Sequence, residues 1–364
     1  MSRPRRFLLL LAYLAFLVVL FEGTARLIYS VPWLARQFTT GDEMSWHRRW
    51  IERHRDSGTQ IFYRFDAYDP TKGWKSKPDL RNVWVFDSKV LNTNSLGFRG
   101  VREYAYAKDP ERTRILALGD SFTFGDEVSD EETYPHYLQE TLPQTEVMNL
   151  GVHGYGHDQM LILLREEALR YEPDIVLLGY ISSDMKRNLL GFKDYAKPRF
   201  VLVDGKLQLR GTPVPPPEEV LRRSGTRWRV LDLFSYARYG VMKKTGLLYK
   251  RREAMTAALL GEIAATVRES GAVPVFVYLL SPEEYGDEAA AIHNERFLME
   301  TCRRQEATGC VSTRPRFLER MAAGVTFKPE GHWGPTGHRT VAEVIATYLV
   351  AEGLVTGAGG SPSP

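Results

Sequence analysis

The chain has 364 residues, 43% hydrophobic and 26% charged, which is the composition of a globular protein able to bury a full core. A formal net charge of +3, from 48 basic and 45 acidic residues, argues against nucleic acid as a partner and against long-range steering of an acidic substrate. Two cysteines are too few for a disulfide-built scaffold.

Arg3, Arg5 and Arg6 precede an uncharged apolar run over residues 7–21. Such a run enters a membrane, as a short spanning helix or as the core of a signal sequence. Glu22 and the following Gly23-Thr24-Ala25 give no strong small-residue cleavage site, and the helical pattern continues over residues 25–28. The expectation is an uncleaved anchor in residues 1–30, with its basic flank in the cytoplasm and the rest of the protein outside it. Residues 31–105, rich in Trp, Tyr, Arg and Asp without a sustained helical period, read as a connector and an N-terminal subregion. Arg99, in the turn-rich stretch 92–100, is expected in a structural salt bridge.

The apolar run Ile115-Leu116-Ala117-Leu118 predicts a buried strand that enters a tight turn at Gly119 and presents Ser121 at its end. A serine hydroxyl there is a candidate nucleophile, or Asp120 and Ser121 cap a helix. Val147-Met148-Asn149-Leu150 predicts a second strand, ending in a turn with Gly151, Gly154 and Gly156. Ile175-Val176-Leu177-Leu178 predicts a third, followed by Gly179 and by Ser182-Ser183-Asp184. Helical patterns over 134–142 and 158–171 alternate with these strands, which argues for a parallel sheet.

An insertion at about 193–252 interrupts the order. Residues 200–209 alternate around Asp204-Gly205 and predict a β-hairpin, residues 213–217 a stiff extended link. The basic, aromatic stretch 222–252 is helical in parts and suits a lid, a partner surface or a membrane-facing patch. The core resumes with a helix over 255–270 and a strand over 273–280. Cys302 and Cys310 are expected to pair in an oxidising compartment. Near the C-terminus, Glu330-Gly331-His332-Trp333 precedes a helix containing His338, and residues 355–364 read as a disordered tail.

Gly119-Asp120-Ser121-Phe122-Thr123-Phe124-Gly125 resembles the first sequence block of the SGNH (GDSL-like) hydrolases, and Asn149-Leu150-Gly151-Val152-His153-Gly154 resembles the second. The resemblance implies a three-layer α/β/α fold with a central, mostly parallel, flavodoxin-like sheet over residues 106–354. It makes Ser121 the nucleophile and His332 the base, with an orienting acid two residues before the histidine, as in a membrane-anchored, polysaccharide-associated branch of the family. Glu330 holds that position in place of aspartate. The implied oxyanion donors are the backbone N–H groups of Ser121 and Gly154. Ser183 stands where the family has an asparagine, so a rotatable hydroxyl replaces a fixed amide donor. No cofactor and no metal are implied. Relatives with this layout act on O-acetyl groups of envelope polysaccharides, so the expected activity is an ester hydrolase or acetyltransferase on O-acyl carbohydrate. A weak or inactive glycan-binding module and a lipid-acting esterase are the alternatives. The resemblance makes His338 structural and His153 a loop residue, while His47, His54, His136, His157 and His293 read as surface or loop residues.

Overall fold

The computed structural model describes residues 3–39, 43–57, 65–86, 88–306 and 308–356. Five strands, β1 (Thr113–Gly119), β2 (Thr145–Gly151), β3 (Ile175–Tyr180), β4 (Val273–Tyr278) and β5 (Gly309–Ser312), pair in parallel in the order β2-β1-β3-β4-β5. Every residue of β2 and β3 is buried, as strands covered on both faces require, including the polar Thr145, Glu146 and Asn149 of β2. This is the flavodoxin-like strand order, and it follows from right-handed crossovers whose direction reverses once at β1. The Tyr134–Thr141 and Pro335–Ala351 helices pack together on one face. On the other, Arg165 of the His157–Glu166 helix pairs with Glu262 of the Leu247–Glu269 helix, and Glu253 of the latter lies 3.2 Å from His293 of the Glu288–Arg303 helix. The architecture is the expected three-layer α/β/α.

The chain forms two compact units, residues 1–61 with 192–196 and 215–251, and residues 62–191 with 197–214 and 252–364. The predicted insertion is therefore divided between them.

In the first unit, the Arg3–Ser30 helix holds a 27-residue stretch, Pro4–Ser30, long and apolar enough to cross a membrane. The connector reading misses two helices, Pro32–Gln37 and Glu43–Ser57. Over its described side chains, residues 43–54, the second fully buries Trp50 and His54 alone, a stripe too narrow to stand out among its Arg and Glu residues. Trp50 packs against Phe192 and Tyr195 at 5.9 and 5.4 Å and stacks on His54, which is thus no surface residue. His47 is half-buried against the edge of Phe192.

In the second unit, strands Arg199–Val203 and Lys206–Arg210 form the predicted hairpin, with Asp204 and Gly205 at φ 50° and 75° as a type I′ turn demands. Arg99 pairs with Asp130 and donates to the Val128 carbonyl at 2.9 Å. Cys302 and Cys310 are bonded, their Cα atoms 6.0 Å apart. Of the predicted tail, residues 357–364 lie outside the described residues, whereas Val355 is buried and its N–H lies 3.4 Å from the Leu349 carbonyl.

His157 and His338 correct and extend the sequence reading, because both are wholly buried inside this unit. Burial pushes the His157 imidazole down to about 4, against the hydrogen bond from Asn188, and pushes His338 down to about 3. Between those values and about 6.5 the unfolded chain binds protons that the folded one refuses, so stability is complete above about 6.5 and falls as pH drops. Each histidine contributes a slope of at most about 1.4 kcal/mol per pH unit. The melting temperature is expected to fall steadily from pH 6.5 towards 4, and His338→Gln to fall less steeply; equal slopes would refute this account.

Candidate active site

The sheet's carboxyl edge is shaped by three glycines at adjacent strand ends. Gly119 and Gly151 are partners in register. A Cβ on Gly119 would stand 2.0 Å from Thr123 Oγ1, one on Gly151 2.2 Å from the Phe124 amide nitrogen, and one on Gly179 2.6 Å from Thr123 Oγ1. Without side chains there, the single helical turn Ser121–Phe124 settles directly onto the strands. Asp120 caps it, Oδ1 accepting the Phe122 N–H at 3.0 Å, and Gly125 ends it at φ 91°. Capping and presentation of the serine are thus one device, and Ser121 is only 2% exposed.

His332 meets this turn from the far end of the chain, its Nε2 2.8 Å from Ser121 Oγ. The next residue fixes the loop: Trp333 is buried, donates Nε1–H to the Leu280 carbonyl at 3.0 Å, and packs on Phe122 and Phe317 at 4.7 and 5.7 Å. The His332 ring itself lies against Phe122, centroids 4.8 Å apart.

The carboxylate at His332 Nδ1 is Glu127, Oε1 at 3.3 Å, and not Glu330. Glu330 is exposed and makes no hydrogen bond or ion pair among the described residues. Gly331, at φ 74°, turns the chain between Glu330 and His332, and a Cβ there would lie 2.9 Å from Glu127 Oε1. Glu127 itself adopts φ 68°, a left-handed conformation that is uncommon for residues other than glycine and gathers at functional sites. Burial raises its proton affinity, but pairing with Lys328 and with His332 outweighs this and holds the carboxyl below the usual range. A proton on Nδ1 facing Glu127 leaves Nε2 as the acceptor for the Ser121 hydroxyl.

A second acid, Asp126, is buried beside the same imidazole, Oδ2 at 3.8 Å from His332 Nε2 and 2.5 Å from His153 Nδ1. Burial again opposes ionisation, and the two histidines and Arg99 overcome it, so this carboxyl also lies below its ordinary value. His153 is a loop residue, as read from the sequence, yet one tied to the site through Asp126.

Gly154 is buried in the turn closed by the Tyr155 N–H on the Val152 carbonyl at 3.2 Å, with φ 75°. Ser183 is half-buried and precedes the Asp184–Arg187 turn without capping it; its hydroxyl makes no hydrogen bond among the described residues. Arg187 lies close by: Nη1 is 2.7 Å from Asp120 Oδ2, 2.5 Å from Asp184 Oδ1 and 2.9 Å from the Tyr155 carbonyl, while Ser121 Oγ is 3.3 Å from the same Asp120 oxygen. His338 takes no part; its Nδ1 accepts the Tyr134 N–H at 3.2 Å. Among the described residues no group of three His, Cys, Asp or Glu could hold a metal.

The sequence matches no family model and no curated protein. Solved structures similar to it include a member of the lipolytic protein G-D-S-L family from Veillonella parvula, at 11% identity over 65% of this chain and 97% of that one, TM-score 0.40. A catalytic mutant of an acetylxylan esterase from Geobacillus stearothermophilus aligns at 13% identity over 65% and 94% of the two chains, TM-score 0.40. A lipase from a goat rumen metagenome aligns at 13% identity over 65% and 98%, TM-score 0.41.

A hydroxyl, an imidazole and a carboxylate in hydrogen-bonded series form the arrangement that activates a serine by taking its proton into a base held in one tautomer. The structure brings Ser121 and His332, both named from the sequence, together with Glu127, Asp126 and Arg187, which the sequence blocks do not single out. The adjacent acids just after Gly125 were the available signal.

Proposed function

We propose that the protein is a serine ester hydrolase of the SGNH (GDSL-like) kind, held at a membrane by its N-terminal helix, whose substrates are O-acyl esters, above all O-acetyl esters, of envelope carbohydrate. The contact between Ser121 Oγ and His332 Nε2 at 2.8 Å carries this reading. His332 takes the Ser121 proton as Oγ attacks the ester carbonyl, and Glu127 stabilises the imidazolium through Nδ1. Collapse of the tetrahedral intermediate expels the alcohol, which receives the proton from His332. Water, deprotonated by the same imidazole, then attacks the acyl carbonyl; the bond to Ser121 Oγ breaks, the acid departs, and Oγ takes the proton back from His332.

The developing oxyanion is held by the backbone N–H groups of Ser121 and Gly154, with the Ser183 hydroxyl as third donor. Because Ser183 is shorter than asparagine, Ser183→Asn is expected to raise kcat more than it alters KM, by no more than the roughly 100- to 1,000-fold attached to one such donor. A lower kcat would mean that the hydroxyl is already a working part of the site. The carbohydrate and acetyl preference rests on the layout shared with the anchored branch, an N-terminal apolar helix ahead of the hydrolase-like domain, and the extracytoplasmic placement on Arg3, Arg5 and Arg6 preceding the apolar run.

The deciding experiment incubates one portion of the full chain in detergent with a fluorophosphonate and a separate, untreated portion with aryl esters of increasing acyl length. Labelling of Ser121 and a preference for acetate are expected. No labelling would leave a binding module, and a preference for long acyl chains would make the substrate a lipid.

A further inference from the structure

We infer that the Arg229–Lys244 helix is a second membrane contact, lying at the bilayer surface among anionic phospholipid headgroups. The inference rests on the membrane-anchored part of the functional reading and is independent of the ester chemistry. Its starting point is Glu22, the first charged residue after the apolar run of the N-terminal helix. Glu22 Oε1 accepts the Arg229 N–H at 3.1 Å, Oε2 accepts the Val230 N–H at 3.0 Å, and Arg26 Nε stands 2.8 Å from Oε1. A carboxylate at the end of a spanning run needs such partners, since hydrocarbon offers none. Residues 7–21 rise by roughly 1.5 Å each, about 22 Å in all against a hydrocarbon core of about 30 Å. A run shorter than the core is met by local thinning of the bilayer and by snorkelling of its charged flanks, which sets Glu22, and with it the start of the Arg229–Lys244 helix, at the headgroup boundary.

The junction is braced further along. The Arg229 guanidinium sits over the Tyr29 ring at 5.8 Å, and Tyr236 meets Phe38 edge-on at 5.5 Å. From this start Leu231, Phe234 and Val241 share one helical face, left 57%, 69% and 62% exposed. Arg238, four residues after Phe234 and three before Val241, is exposed on the same face, so these apolar side chains surround a cation whose long stem reaches from the apolar boundary to the lipid phosphates.

The charges complement an anionic surface. Arg227, Arg238, Lys243 and Lys244 are exposed on or beside the helix, and Lys250 and Arg251 follow. The one acid in the helix, Asp232, is buried and paired with Arg227 at 2.7 Å and Arg229 at 3.1 Å. An exposed apolar face that carries Arg238 and is bordered by further long basic side chains suits a helix lying in the plane of the interface, its cations reaching lipid phosphates.

The test places single cysteines in the full chain, whose own two are disulfide-bonded. Phe234→Cys and Val241→Cys, each carrying a polarity-sensitive dye, are reconstituted in phosphatidylcholine vesicles with or without phosphatidylglycerol. Val19→Cys reports on the spanning helix and Lys206→Cys on a water-exposed hairpin. Dyes at 234 and 241 are expected to be blue-shifted and quenched by shallow nitroxide lipids and not by iodide, and to lose this protection without phosphatidylglycerol or with Lys243→Glu and Lys244→Glu together. Iodide quenching equal to that of Lys206→Cys, with Val19→Cys still quenched by lipid, would overturn the inference. So would protection from both quenchers, which would mean that a protein or a second copy of the chain covers the face. If Val19→Cys also escapes lipid quenching, the anchor reading falls and this one with it, whereas serine labelling at Ser121 stands or falls separately.

Discussion

Ser121→Ala is expected to lower kcat/KM on a short-chain aryl ester by roughly four to six orders of magnitude, the scale seen when one member of a serine–imidazole–carboxylate unit is removed. The fall should appear in kcat, because the hydroxyl forms a bond in the transition state and contributes little to holding the substrate. The folded protein should tolerate the change. Among the described residues Ser121 Oγ hydrogen-bonds to His332 and Asp120 alone, and Asp120 keeps its bonds to Phe122 and Arg187. A melting temperature close to that of the parent, measured on the same preparation, separates lost chemistry from lost structure. Turnover within tenfold of the parent would remove Ser121 from the mechanism altogether.

The second large effect separates two glutamates. Glu127→Gln should lower kcat by roughly 10- to 1,000-fold, below the roughly 10,000-fold upper bound for a fully buried orienting acid, because Glu127 is partly exposed and its contact is long. Glu330→Gln should change kcat by less than about twofold, the effect of a surface substitution remote from the reacting atoms. Since Glu127 acts through His332, KM should stay near its parent value and Glu127→Asp should recover part of the loss. If Glu330→Gln proves the damaging change and Glu127→Gln does not, the acid two residues before the histidine is the working one after all.

The contest between these acids shows what the amino-acid order makes legible. Runs such as Ile115-Leu116-Ala117-Leu118 announce buried strands, and alternation with helices announces a parallel sheet, because both follow from local periodicity. Ser121 and His332 were legible because each lies beside residues that shape its own turn. Glu127 was not, since it reaches His332 across 205 positions and only the closed fold brings them together. The left-handed turn at Gly331 then carries Glu330 away from the imidazole it adjoins in sequence. Burial of His157 was hidden for the same reason: its amide partner Asn188 lies 31 positions on. The Glu43–Ser57 helix escaped because seven of its fifteen residues are Arg, Glu or Asp and its few apolar residues, Met44, Trp46, Trp50 and Ile51, do not repeat over more than two turns.

Ser121 and Glu127 belong to one loop, whereas His332 arrives from 211 residues away on a backbone pinned by Trp333. The imidazole is thus the separable part, 21% exposed and bounded by a hydroxyl, a carboxylate and the Phe122 ring. His332→Ala should leave a slot of its shape with both hydrogen-bonding neighbours still in place. Free imidazole added to that variant should fill the slot and restore turnover in a saturable, concentration-dependent way, while Ser121→Ala under the same additive should stay silent. Chemical rescue of this kind would measure how completely the protein has prepared a berth for a base that it need not itself supply.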